Sequence, residues 1–138
     1  MALLVALDES EPGWAALEYA LEEHADDGII VAHVADPNRS GYGEFAHLGA
    51  EAMRERMREA AADLFDAAHA RAADQGYEIT TELLVGQPAP AIVEYALDHD
   101  VDRIAVGSHG RSGVSRVLLG SVAERIARRA PVPVTIVR

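Results

Sequence analysis

The sequence predicts an α/β domain: a doubly wound, five-stranded parallel sheet with helices on both faces. Three observations carry this. Short apolar runs recur along the 138 residues. Longer stretches of helical period separate them, and Ser, Pro or Gly marks most of the junctions. Strands that alternate with helices lie parallel in one sheet, because each crossover must travel back along a helix before the next strand begins. The length suits one domain, residues 1–138, and buries enough surface for a core without staples.

The elements follow in order. Residues 2–7, Ala-Leu-Leu-Val-Ala-Leu, form a continuous apolar run ending at Asp8, as in a strand covered on both faces. Ser10 is placed to cap a helix that tolerates Pro12 in its first turn and turns Trp14, Leu17 and Leu21 to one side. Residues 29–34, Ile-Ile-Val-Ala-His-Val, make the second strand, with His33 read as a satisfied core histidine. A loop over 36–43 leads to a long helix over about 50–74, with Met53, Met57, Ala60, Ala61, Leu64 and Ala68 as its apolar face. Gly76 ends it. A weakly alternating strand spans 77–85, and Pro88 opens a helix containing Ile92, Val93, Ala96 and Leu97. The fourth strand covers 102–106 and stops at Gly107. A glycine-punctuated segment, 107–120, precedes a helix over 122–130. Pro131 and Pro133 then introduce Val-Thr-Ile-Val at 134–137, and prolines there suit an edge strand.

Composition removes whole classes of chemistry. There is no cysteine, so disulfides, zinc ribbons and thiol nucleophiles are excluded. All 12 basic residues are arginine, which excludes a Walker-type or Schiff-base lysine. No apolar run approaches the roughly 20 residues of a membrane span, and the expected location is the cytoplasm. The net charge is −11, unfavourable for binding nucleic acid or an anionic membrane surface. That charge is uneven. Residues 1–102 hold 22 acids and 5 arginines, whereas residues 103–138 hold one acid and 7 arginines. An anionic ligand should therefore prefer the C-terminal third. An acidic, lysine-free chain also fits a high-salt proteome, where the Debye length falls to ~3 Å at 1 M salt.

In an open α/β sheet, ligands bind beyond the carboxyl ends of the strands, near the switch in strand order. Asp8, Val34 and Asp36, and Gly107-Ser-His-Gly-Arg-Ser-Gly stand at such ends. Glycines let backbone N–H groups approach phosphates closely, and a helix N-terminus favours an anion. Ser121-Val-Ala-Glu124 has the form of a capping box, which places Ser121 at a helix start. Arg111 and Arg116 lie between the glycines, placed to neutralise phosphate. A glycine-rich turn followed by an ordinary cap would account for the same residues.

Gly107-x-x-Gly110, nine residues, then Gly120-Ser121 resembles the nucleotide-binding signature of the universal stress protein family. Val5-Ala-Leu-Asp8-Glu-Ser10 resembles that family's first strand and acidic turn. Gly86-Gln-Pro88, the block from Val106 to Ile126 and Ala130-Pro-Val-Pro-Val are similar too. The resemblance implies a Rossmann-like fold of the adenine nucleotide alpha hydrolase-like kind that binds ATP, dimeric through the last strand, Val134–Val137. It places Asp8 and the Val34 backbone at adenine and ribose. Gly107, Gly110, Gly120, Ser121 and Val122 fall at ribose and phosphates, with Ser108, His109 and Arg111 beside them.

Six histidines show no metal-ligand spacing, so magnesium would enter with the nucleotide's phosphates. Ser108 beside His109 is adjacency, not a triad. The leading expectation is a dimeric ATP-binding stress-response module without catalytic residues. The alternatives are a slow ATPase or phosphotransferase, with Asp8 or Asp36 placing Mg²⁺, and a flavin carrier. Aromatic residues at 5% disfavour the flavin.

Overall fold

A computed structural model describes residues 1–24, 26–38, 49–109 and 119–138. The elements run β1 (Ala2–Ala6), α1 (Glu11–Glu23), β2 (Gly28–Ala35), α2 (Ala50–Asp74), β3 (Thr80–Val85), α3 (Pro88–Asp98), β4 (Arg103–Gly107), α4 (Ser121–Arg129) and β5 (Val134–Val137). The five strands form one sheet in the order β3-β2-β1-β4-β5, every pair parallel. The third strand begins at Thr80 rather than at residue 77. β5 lies at an edge, as its two prolines suggested.

Alternation along the strands sorts the core into two layers. Leu3, Val5 and Leu7 pack with Ile29 and Val31 beneath α1 and α2. Leu4, Ile104 and Val106 pack with Ala32 beneath α3 and α4. The apolar runs of β1 and β4 are thus explained: each is central and covered on both sides. Central strands need apolar residues at every position, whereas edge strands do not. β3 accordingly keeps Val85 half exposed, at 51%.

The helices depart from the expected faces in two places. Met57, Ala61, Leu64 and Ala68 are buried on α2, but Ala60 faces outward. On α3, Ile92 and Ala96 are buried while Leu97 is 62% exposed. Trp14 is partly buried against the core and carries the Arg71 guanidinium 4.3 Å from its ring centre. Arg71 also reaches Glu18 at 3.1 Å, so one residue ties α2 to α1. Exposed charges at the start of α2 pair at i,i+3, Arg58 with Glu55 and Arg56 with Glu59.

The strand order places the switch between β1 and β4. β1 leads through α1 to β2 on one side. β4 leads through α4 to β5 on the other. The carboxyl ends of β1 and β4 are therefore neighbours from which the chain departs in opposite directions. In open α/β sheets that switch point is where a ligand-binding crevice forms.

Candidate functional site

The turn after β1 is built by its own side chains. Asp8 Oδ1 accepts the Ser10 N–H at 3.0 Å and also a short hydrogen bond from the Ser10 hydroxyl. Ser10 Oγ in turn accepts the Gly13 N–H at 3.1 Å, which caps α1 as expected. Asp8 thus spends one carboxylate oxygen on the helix start. Gly13, which sequence reasoning passed over, makes this possible: a Cβ there would sit 2.5 Å from Asp8 Oδ1.

Gly107 has an equally local reason. A Cβ on it would meet the Pro12 carbonyl carbon at 2.6 Å and the Pro12 oxygen at 2.8 Å. The first turn of α1 therefore lies directly on the end of β4, and Gly107 serves that contact. Ser108 is buried, at 6% exposure, and its backbone is committed on both sides. Its N–H donates to Val137 O at 2.7 Å and its carbonyl accepts the Gly120 N–H at 2.7 Å. The Ser108 hydroxyl lies 3.2 Å from His109 Nδ1, so adjacency does produce a contact, but it is that of a buried hydroxyl.

The start of α4 corrects one expectation. Gly120, not Ser121, is the N-cap, and no side-chain hydrogen bond caps the helix. Ser121 occupies the first helical position, one residue too late for the box that Ser121 and Glu124 spell out. The first bond inside the helix runs from the Glu124 N–H to Gly120 O at 2.9 Å. The N–H groups of Ser121, Val122 and Ala123 precede it, and a glycine cap has no side-chain oxygen to offer them. A Cβ on Gly120 would lie 2.9 Å from His109 Cα and 3.2 Å from Ser108 O. The α4 N-terminus is thereby drawn against the end of β4, where its dipole favours an anion.

Val34 stands near the end of β2, partly buried against the α3 layer. Asp36 follows in a turn, its Oδ1 accepting the Asn38 N–H at 2.9 Å. Of the residues expected at the site, Asp8, Val34, Gly107, Ser108, His109, Gly120, Ser121 and Val122 stand at the ends of β1, β2 and β4 and at the start of α4. Gly110, Arg111 and Arg116 lie outside the described residues, as does residue 39 onward of the 36–43 loop.

Among the described residues, no three His, Asp or Glu side chains gather as metal ligands, and no helix is long and apolar enough to cross a membrane. A ring pair lies at the C-terminal end of α3, in the opposite layer from α1. Burial, and then the charge of Glu82, hold the Tyr95 phenol above its usual range, and its ring stacks on His99 with centroids 3.9 Å apart. A phenol raised this way stays protonated at neutral pH and is not a base.

A family model described as the universal stress protein family matches residues 1–138. A universal stress protein of Methanocaldococcus jannaschii is 31% identical over 142 residues, spanning 99% of this chain and 81% of that protein. The chain belongs to the universal stress protein family. Its fold is similar to that of universal stress protein UspA from Lactobacillus plantarum, with a TM-score of 0.81 at 24% identity, covering 100% of this chain and 97% of that one. It is also similar to a universal stress protein solved in complex with cAMP, with a TM-score of 0.66 at 27% identity, covering 100% and 96% of the two chains. In this universal stress protein the start of α4 and the end of β4 meet at the strand switch.

Proposed function

We propose that this universal stress protein binds ATP in the crevice between the ends of β1 and β4 and acts as a stress-response binding module, not as an enzyme. The observation that carries the reading is the start of α4: a nine-residue helix, capped only by Gly120 and drawn against Ser108 and His109 at the end of β4. Ser121 and Val122 hold the phosphates through backbone N–H groups, and Gly120, its own N–H bonded to Ser108 O, lets the start of α4 sit against the end of β4. His109 stands beside them, and Gly110 and Arg111 belong to the same signature in the sequence. Asp8 and the Val34 backbone take the ribose and adenine. Magnesium enters on the phosphates. The similar protein solved with cAMP supports the adenine class.

Calorimetric titration with Mg-ATP in molar KCl tests this, with AMP and FMN in parallel. Saturable ATP binding, with phosphate release no faster than background, is the expected result. Absence of ATP binding overturns the reading, and FMN binding replaces it with a flavin carrier. The molar salt follows from the acidic surface, which fits a cytoplasmic protein of a high-salt organism.

The same protein is a homodimer through β5. Pro133 O and Val137 O both turn towards β4, accepting from Ile104 and Ser108. Backbone groups of alternate residues point to opposite sides of a strand, so those of Val134 and Ile136 face the open edge. Such an edge is a template for a second strand. Val134→Pro removes one outward N–H and spares the β4 pairing. Light scattering should find wild type at dimer mass and the variant shifted towards monomer by at least tenfold in dissociation constant. Equal masses would remove this interface.

A further inference from the structure

The β1–β2 ladder stops one rung early. Its register runs from Ala2↔Gly28 to Ala6↔Ala32, and the Leu7 N–H adds a final bond to Ala32 O at 2.8 Å. One further step along a parallel ladder would bring the Val34 N–H to Leu7 O. At that place the Leu7 carbonyl instead accepts from the His33 ring, whose Nδ1 lies 2.9 Å away. A carbonyl can only accept, so Nδ1 carries the proton. The ring is backed by α2, standing edge-on to Phe65 at 6.4 Å between centroids and 83° between planes.

Two site groups depend on that bond. Leu7 immediately precedes Asp8, so fixing its peptide fixes the origin of the Asp8–Ser10–Gly13 turn. Val34 lies two residues beyond Ala32, so its backbone groups point to the same side, towards β1, but past the last rung. A side chain has taken the acceptor that the Val34 N–H would otherwise use. The Val34 N–H and carbonyl therefore lie past the last rung, with no bond to β1 among the described residues.

We propose that His33 is a positioning residue for the base-binding end of the crevice: by holding Leu7 O it ends the β1–β2 ladder and keeps the Val34 backbone available to a purine edge. The inference rests on the nucleotide reading above and deepens it, assigning recognition of the base to main chain that His33 keeps unpaired. It also separates the two ends of the ligand. His33 governs the base end, whereas the α4 N-terminus governs the phosphates.

The test compares wild type with His33→Leu, which loses the donor, and His33→Asn, whose side-chain N–H₂ occupies the place of Nδ1. Amide hydrogen exchange on the protein without ligand is the first readout. In His33→Leu the Val34 amide should become at least tenfold slower as it closes onto Leu7 O, while amides in β4 keep their wild-type rates. In His33→Asn the Val34 amide should exchange as in wild type. Titration is the second readout, with ATP, adenosine and tripolyphosphate. In His33→Leu, ATP and adenosine should weaken by roughly tenfold, the scale of one hydrogen bond. Tripolyphosphate should be unchanged, and His33→Asn should recover the adenosine affinity. Unchanged Val34 exchange in His33→Leu overturns the proposal, and so does an equal loss of adenosine and tripolyphosphate, which marks a general structural role. A wild type that binds none of the three ligands overturns the nucleotide reading alone. The Val34 exchange comparison then decides the role of His33 by itself.

Discussion

Replacing Gly120 with valine should weaken ATP binding at least about a hundredfold while the protein remains folded. The backbone at Gly120 has φ −65° and ψ 154°, which any residue adopts, so the effect is not conformational. It is steric. A Cβ would stand 2.9 Å from His109 Cα and 3.3 Å from His109 Cβ, and the first of these is backbone that cannot rotate away. Valine's two further methyl groups deepen the overlap. The bond between the Gly120 N–H and Ser108 O, 2.7 Å long, has to lengthen, and the α4 N-terminus withdraws from the end of β4. Losing two hydrogen bonds to a charged phosphate, about 1.5–3 kcal/mol each, is a factor of about a hundred or more. The strain falls at the start of α4, away from Ala123 and Ile126, which anchor that helix in the core. Calorimetry should show no saturable ATP binding, and a thermal melt should remain cooperative. Wild-type affinity in this variant would remove phosphate recognition from the α4 N-terminus.

Element type and order were legible because period and punctuation are local. Ser10 before Pro12 marked a helix start, and Gly76 marked a helix end. The doubly wound class followed from alternation. The spatial order β3-β2-β1-β4-β5 did not, because it depends on which way each crossover turns. The site was legible as a set of residues but not as a division of labour. Gly107 and Gly120 look alike in the signature, yet Gly107 is a glycine for the sake of Pro12 and Gly120 for the sake of His109. Ser121 and Glu124 spell a capping box that the helix does not use, because α4 starts one residue early on Gly120. A cap depends on the backbone angle at one residue, and tertiary packing sets that angle. His33 was readable as a satisfied histidine, but its acceptor lies 26 residues earlier in the chain, on a neighbouring strand. Gly13 gave no signal, since a glycine inside a helix reads only as a weak position until Asp8 is placed above it.

The division between the two glycines leads to the largest expected effect on stability. Gly107→Ala should destabilise the protein by about 2 to 3 kcal/mol, the upper range for overpacking a close contact. The added methyl would lie 2.6 Å from the Pro12 carbonyl carbon, 2.7 Å from Pro12 Cβ and 2.8 Å from Pro12 O. None of these is the free end of a side chain, so the first turn of α1 must lift from β4. Ala16 and Leu17 on that helix are fully buried beneath it, and the sheet they cover includes Ala105. Lifting one end therefore strains the layer that holds β1 and β4 together. Removing the proline ring gives no relief, because the overlap is with atoms that alanine at position 12 retains. The double variant Pro12→Ala with Gly107→Ala should thus be no more stable than Gly107→Ala alone. Urea unfolding measures both, with an unchanged denaturant slope expected if only the native state is strained. A single variant within about 0.5 kcal/mol of wild type, the range of ordinary surface substitutions, would mean that α1 yields easily. The same result would return Gly107 to the ligand as the reason for its missing side chain. Gly107→Ala losing stability and Gly120→Val losing binding would together divide the signature in two. Its first glycine would seat the helix that carries the Asp8 turn, and its last would seat the helix that faces the phosphates.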